Sequence, residues 1–156
     1  MKRLWIALAA LIAADQALKL AVRSTFAPGQ SAPLLPPVVY LTYVQNTGMA
    51  FGLFRGFPYV FVALAVVVAA WIVRELASSH DRDPWTRWAL VLVLGGAIGN
   101  LIDRVRLGFV TDFIDLRVWP VFNLADSCIT VGVALLVLHS LGWLPQGRSR
   151  DGKAAG

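Results

Sequence analysis

Nine acids are spread over 156 residues, and five of them (Asp15, Asp103, Asp112, Asp115 and Asp126) stand in or beside apolar stretches. A charge at the centre of a membrane-spanning helix costs about 2.5–3.5 kcal/mol on insertion scales, so acids placed there are candidates for function by default. Asp112 and Asp126 are fourteen residues apart, enough for a chain reversal that brings them together. Two carboxylates within a few ångströms cannot both ionise cheaply, and they share a proton. The ionised member can take a proton from water while the protonated member polarises a carbonyl, the chemistry of aspartic proteases. On residue type and spacing alone, structural and ion-pathway roles stay open beside this dyad.

Amides and cations accompany the acids. Asn123 and Asp126 are i and i+3 on one face of a predicted helix, a turn inside its end. Asn100, Asp103 and Arg104 follow one another at i, i+3 and i+4 and are expected to point the same way. The Arg104 guanidinium could satisfy a helix end or hold a carbonyl or phosphate with its planar fork of donors. Asp15 and Lys19 share a face at i and i+4, either as a helix-end ion pair that sets tilt or as support for a site. Gly95 and Gly99 form a GxxxG spacing, which permits close helix approach. Asn46-Thr47-Gly48 marks a turn.

Other chemistries lack their parts. A cysteine nucleophile needs a neighbouring base, and His80 and His139 both fall far from Cys128 along the predicted helices, so Cys128 reads as a small buried apolar residue. Two scattered histidines and one cysteine give no zinc site and no Ser-His-Asp constellation. No metal or organic cofactor is expected.

The elements that must carry these residues are set by composition. Hydrophobic residues make up 58% of the chain, charged residues 15%, and mean hydropathy is +0.67. Soluble domains are about 45–50% apolar and about 25% charged, so this chain has too little polar surface for a water-facing globule. The same figures exclude disorder. The net charge of +5 does not indicate nucleic acid, because the Lys and Arg residues flank apolar runs instead of forming a stripe.

Four apolar runs approach the roughly 20 residues needed to cross a bilayer: about 4–22, 59–73, 88–102 and 121–141. Phe57, Trp85 and Trp88 extend the second and third into the interface. Met1-Lys2-Arg3 and the following apolar run resemble a signal peptide, but apolar character resumes after Asp15-Gln16 without a convincing small-residue cleavage site, so a retained helix is expected. The fold class is all-α membrane, with four transmembrane helices and a small extracytoplasmic β-sheet between helices 1 and 2. The sheet is expected within residues 24–57, where turn formers precede the β-branched and aromatic run 38–44. Residues 1–144 make a single polytopic domain, and residues 145–156 a disordered tail. Eight basic residues fall on the side of both termini against six on the other, which places the termini in the cytoplasm and the acid cluster outside.

Four stretches in order, Asn46-Thr47-Gly48-Met49-Ala50-Phe51-Gly52, residues 95–104 (GGAIGNLIDR), Val110-Thr111-Asp112-Phe113 and Phe122-Asn123-Leu124-Ala125-Asp126-Ser127, resemble the successive motifs of the bacterial lipoprotein signal peptidases (signal peptidase II). Asp15-Gln16 with Lys19 resembles that family's first-helix motif. The resemblance implies a four-helix aspartic endopeptidase of the bacterial cytoplasmic membrane, with its site on the outer face. It cuts the signal peptide from diacylglyceryl-modified prolipoproteins just before the lipidated cysteine. By motif, Asp112 and Asp126 are the catalytic pair. Asn46, Gly48, Asn100, Asp103, Arg104 and Asn123 line or support the site, with Asp15 and Lys19 behind them. Lipidated prolipoproteins and membrane lipid are the implied partners, and the peptide antibiotic globomycin the implied inhibitor. Two readings from other classes compete: a carrier or proton relay using the same acids, and an assembly scaffold joined through the GxxxG face.

Overall fold

The computed structural model describes residues 2–48, 58–78 and 83–145. Met49 to Phe57, His80 and the tail beyond Pro145, all singled out above, lie outside the described residues. Four helices, α1 (Lys2–Thr25), α2 (Pro58–Ser78), α3 (Pro84–Leu107) and α4 (Leu124–Ser140), accompany three strands, β1 (Ser31–Leu35), β2 (Val39–Asn46) and β3 (Val110–Asp115). By length and composition α1 and α3 can each cross a membrane, with mean hydropathies of 1.6 and 1.5. α4 is a shorter apolar helix of 17 residues.

α3 is the central element, with α1, α2 and α4 all packed on it. It begins where sequence chemistry places a start: the Asp83 side chain accepts from the amides of Trp85 and Thr86, and Pro84 occupies the first turn. Leu90, Val91 and Leu94 meet Leu8 of α1 and Ile72 and Leu76 of α2 in the main apolar core. Its glycines let the helices close. A Cβ on Gly96 would strike the carbonyl oxygen of Ala125 in α4, and one on Gly99 would come within 2.6 Å of an Asp15 oxygen in α1. The GxxxG face is therefore occupied inside the protein, with Gly95 against Leu11 and Gly99 against Asp15. This corrects the scaffold reading, which needs that face free for a partner.

The strands form one antiparallel sheet in the order β1-β2-β3. The sheet is larger than the expected insertion between the first two helices, because β3 lies between α3 and α4. There Val44 pairs with Asp112, Gln45 with Thr111 and Asn46 with Val110. Alternation along β3 turns Val110 and Asp112 towards a cavity. Phe113 instead packs with Tyr43 and with Val22 of α1.

The helices overrun the apolar runs. The second and third helices run well past the apolar stretches 59–73 and 88–102, since helical hydrogen bonding continues through polar residues such as Arg74 and Asp103. The fourth starts at Leu124, not 121, because Asn123 is extended (φ −130°, ψ −177°) and Phe122 is still bridged to Ile114.

Candidate active site

At the sheet end of the helices a cavity of about 720 Å³ is bounded by β2, β3 and the ends of α2, α3 and α4. Asp112 and Asp126 both line it, with Asn46, Gly48, Asn100 and Arg104. Local structure places each acid. Asp112 is held by the β2–β3 register, while Asp126 is fixed by a capping box at the start of α4. There the Asn123 side chain accepts from the Asp126 amide at 2.9 Å, and an Asp126 carboxylate oxygen accepts from the Asn123 amide at 3.2 Å.

Three asparagines direct donors at the carboxylates. Asn46 Nδ2 donates to Asp112 Oδ2 at 2.9 Å, and Asn123 Nδ2 to Asp112 Oδ1 at 2.7 Å. Asn100 Nδ2 donates to Asp126 Oδ1 at 2.7 Å. Gly48 contributes its backbone N–H, which donates to Asn46 Oδ1 at 3.0 Å and so sets the face Asn46 presents. Burial pushes the Asp112 carboxyl up to about 7 against the lowering pull of the Asn46 hydrogen bond, and the nearby Asp126 charge raises it further.

Behind the asparagines lies a buried charge cluster. Lys19 Nζ sits 2.9 Å from Asp15 Oδ2 and 3.5 Å from Asp103 Oδ2, and it donates to Asn100 Oδ1 at 2.9 Å. Asp15 Oδ1 also accepts from the Ala125 amide at 3.1 Å, tying α1 to the start of α4. Lys19 and Asp15 are fully buried and pair within this cluster. Asp103 departs from its expectation. It faces α1 and β3, accepting from the Thr111 amide at 2.9 Å and pairing with Arg23 at 3.6 Å, while Asn100 and Arg104 face the cavity. The i+3 and i+4 positions lie about 100° apart around a helix of 3.6 residues per turn, and α1 occupies the side that Asp103 reaches.

Asp115, the fifth oddly placed acid, is at the far end of β3 and serves the sheet. It accepts from Thr42 at 2.6 Å and from the Arg117 amide at 2.8 Å, and these bonds, Thr42 first, hold its carboxyl below the usual carboxylate range. His139 pairs with Asp83 at 3.1 Å, at the opposite ends of α4 and α3 from Asp126 and Asp103. Cys128 is buried and unbridged. Among the described residues no three His, Cys, Asp or Glu side chains are grouped to hold a metal ion.

Sequence reasoning missed Gln16 and Arg23 as parts of this network. Gln16 Nε2 donates to the Gly99 carbonyl at 3.1 Å, and Arg23 Nη1 to Thr111 Oγ1 at 2.9 Å. Their positions, one after Asp15 and four after Lys19, were the available signal.

Apolar helices packed on α3, with two carboxylates directed into one cavity by asparagines, fit a membrane enzyme. The model of the family "Signal peptidase (SPase) II" matches residues 7–142, and the chain belongs to that family. The lipoprotein signal peptidase of Moorella thermoacetica is 47% identical over 137 residues, covering 88% of this chain and 90% of the relative. That of Pelotomaculum thermopropionicum is 45% identical over 133 residues, 85% and 88% of the two chains. Among solved structures, a bacterial membrane enzyme determined by the in meso method superposes with a TM-score of 0.87 at 27% identity, over 98% of this chain and 96% of that one. A second, so described, gives 0.83 at 29% identity, over 90% and 94%. The protein is thus a peptidase and a membrane protein.

Proposed function

We propose that the chain removes signal peptides from prolipoproteins as an aspartic endopeptidase, with Asp112 and Asp126 as the catalytic dyad. The observation that carries this reading is the convergence of both carboxylates on one cavity, each oriented by asparagine donors. Lipoprotein signal peptidase is the function of the relatives at 41–47% identity, and it supplies the substrate class.

Asp112, raised to about 7, carries the shared proton, and Asp126 serves as the base. Asp126 takes a proton from a water whose oxygen attacks the scissile carbonyl. The Asp112 proton passes to the carbonyl oxygen, giving a neutral tetrahedral diol. Collapse breaks the C–N bond. Asp126 returns its proton to the departing amine, and Asp112 recovers one from the diol as the new carboxyl forms. Acid and base both come from the dyad, so no step requires a metal. Arg104, on the same wall, holds substrate backbone carbonyls with its donors.

Cleavage falls just before the lipidated cysteine, and the apolar wall of Leu64, Val68, Val93 and Ile129 suits a substrate that arrives within the bilayer. The catalytic end faces outward and both termini face the cytoplasm, in keeping with the basic-residue bias. Globomycin binds the same cavity. The relay reading is disfavoured: among the described residues, the acids within α1, α3 and α4 are Asp15, Asp103 and Asp126, all in the halves next to the sheet, while Glu75 of α2 and the N-cap Asp83 of α3 stand at the opposite end.

Purified protein in detergent, incubated with a lipidated prolipoprotein, should release the signal peptide. Asp112→Asn or Asp126→Asn should abolish the release. Retained turnover in either variant, at matched protein concentration, would remove that residue from the dyad.

A further inference from the structure

Lys19 lies outside the cavity wall yet ends the chain of hydrogen bonds that reaches both carboxylates. Its ammonium group can only donate. At 2.9 Å from Asn100 it therefore requires the amide oxygen of that residue to face it. Asn100 has one oxygen and one NH₂, so its donor is left to face Asp126, where it sits at 2.7 Å. Asn123 Nδ2 then donates to the same Asn100 oxygen at 3.1 Å and to Asp112 Oδ1 at 2.7 Å, and the Asn123 oxygen receives the Asp126 amide. The buried cation thus sets the direction of Asn100 from the α1 side, and the Asp126 amide sets that of Asn123.

We propose that Lys19 is a positioning residue for the peptidase reaction: it holds Asn100 in the orientation that offers a donor to Asp126 and an acceptor to Asn123, and its charge favours the singly ionised pair. The inference rests on the dyad reading above. Without Lys19, the Asn100 oxygen keeps only the neutral Asn123 donor at 3.1 Å, and the charged donor that holds the amide against Asp126 is lost. A fully buried cation is also costly to desolvate, and nearby carboxylates make it tenable: Asp15 and Asp103 flank it. That triad carries one positive and two negative charges, and Arg23 from α1 offsets the remainder at Asp103.

Among the described residues, the charged groups facing the dyad come from α1, α3, β3 and α4. α1 supplies Lys19, with Asp15 beside it and Arg23 near Asp103; α3 supplies Arg104 and Asp103; β3 and α4 supply the acids themselves. From α2 and β2 the cavity receives Leu64, Ala65, Val68, Val44, Gln45 and Asn46, none of which titrates. Arg104 stays in place in every Lys19 variant, so a change in pH response on altering Lys19 is assigned to Lys19. The attraction of Lys19 for the Asp112 carboxylate acts in the same sense, holding that group lower than burial alone would.

The test measures kcat and KM against pH for the purified protein with a lipidated prolipoprotein. Lys19→Met should lower kcat about 10–100-fold, the loss typical of a hydrogen bond to a charged group, with KM nearly unchanged. The alkaline limb of kcat should move up by about one pH unit, as expected when a neighbouring opposite charge is removed. Because Lys19→Met leaves Asp15 without its cation, the paired variant Lys19→Met/Asp15→Asn is measured too and should show the same displacement. Lys19→Arg, which keeps a charged donor, should restore the limb. The position of a limb does not depend on how much protein is folded, so a purely structural role would lower activity without moving it. An unmoved limb in both neutral variants overturns the proposal, as does failure of both to accumulate in the membrane. If Asp112→Asn or Asp126→Asn retains turnover, the dyad reading has failed; if those are inactive and the Lys19 limb is unmoved, only the positioning role has.

Discussion

Asp112 and Asp126 differ in how the chain holds them, and the proposed division into acid and base follows that difference. Asp112 is buried in a strand and raised to about 7, whereas Asp126 sits in a capping box and accepts one donor from the Asn123 amide and one from the Asn100 side chain. Asp112→Asn and Asp126→Asn should each lower turnover by about 10²–10⁴-fold, the usual contribution of general acid–base catalysis. The double variant should be hardly slower than either single one, since members of a unit are not additive. Cys128→Ser should retain activity, and the Asn variants should still bind globomycin if their fold is intact. The raised Asp112 value also predicts a stability trend. Its native form holds a proton between 3.8 and about 7 that the unfolded form has lost. Stability from this group is therefore fully present below about pH 4 and declines as pH rises through 7. Thermal melts in detergent across that range should show a smaller decline for Asp112→Asn than for the parent protein.

The capping box at Asn123 joins folding to chemistry, for the residues that start α4 are the ones that aim Asp126 and hold Asp112. Asn123→Ala should cost about 1 kcal/mol of stability as a lost N-cap and should lower activity by far more than that destabilisation explains; thermal melts and kcat on one preparation compare the two. The α3–α4 contact gives a second element-scale expectation. Gly96→Val would meet the Ala125 carbonyl and the Ile129 side chain, and overpacking of this kind typically costs about 1–3 kcal/mol. The Tm should fall, and activity with it, because Ala125 is adjacent to Asp126. Much of this was legible in the sequence: the four helices, the acids, the asparagine at the start of α4, the turn after β2. β3 was not foreseen, although Val110-Thr111-Asp112-Phe113-Ile114-Asp115 has the alternation and β-branching of a strand. Its six residues fall between two long apolar helices and pair with a strand more than sixty residues earlier, and periodicity within a window carries no information about such a partner. The direction of Asp103 was misjudged for a related reason, since helical spacing gives an angle and only the neighbouring helix decides which side is buried.

The whole molecule exposes apolar surface that water would not tolerate in a monomer. Leu20, Val67, Val118, Trp119 and Trp143 are each more than half exposed, on helices, in the segment between β3 and α4, and beyond the end of α4, and surface of that extent calls for lipid or a partner. Lipid around the helices and a catalytic cavity at their sheet end together set how substrate must arrive. A prolipoprotein brings a signal helix already in the bilayer and two acyl chains at its cleavage point. Burial of acyl chains contributes about 0.8 kcal/mol per CH₂, so on the proposed function the lipid would anchor the scissile bond at the depth of Asp112 and Asp126. An unlipidated precursor keeps the signal helix and loses that anchoring. Its kcat/KM should fall by orders of magnitude, with the loss shared between binding and turnover because a mispositioned peptide bond reacts slowly even when bound. Paired assays of lipidated and unlipidated forms of one precursor, in the same detergent, measure this directly; equal rates would show that the acyl chains take no part in recognition. Topology gives the companion test. A reporter inserted at Gln30 should read as external and one fused after the last residue as cytoplasmic, and a cytoplasmic signal from Gln30 would put the dyad on the wrong face for a substrate processed after export.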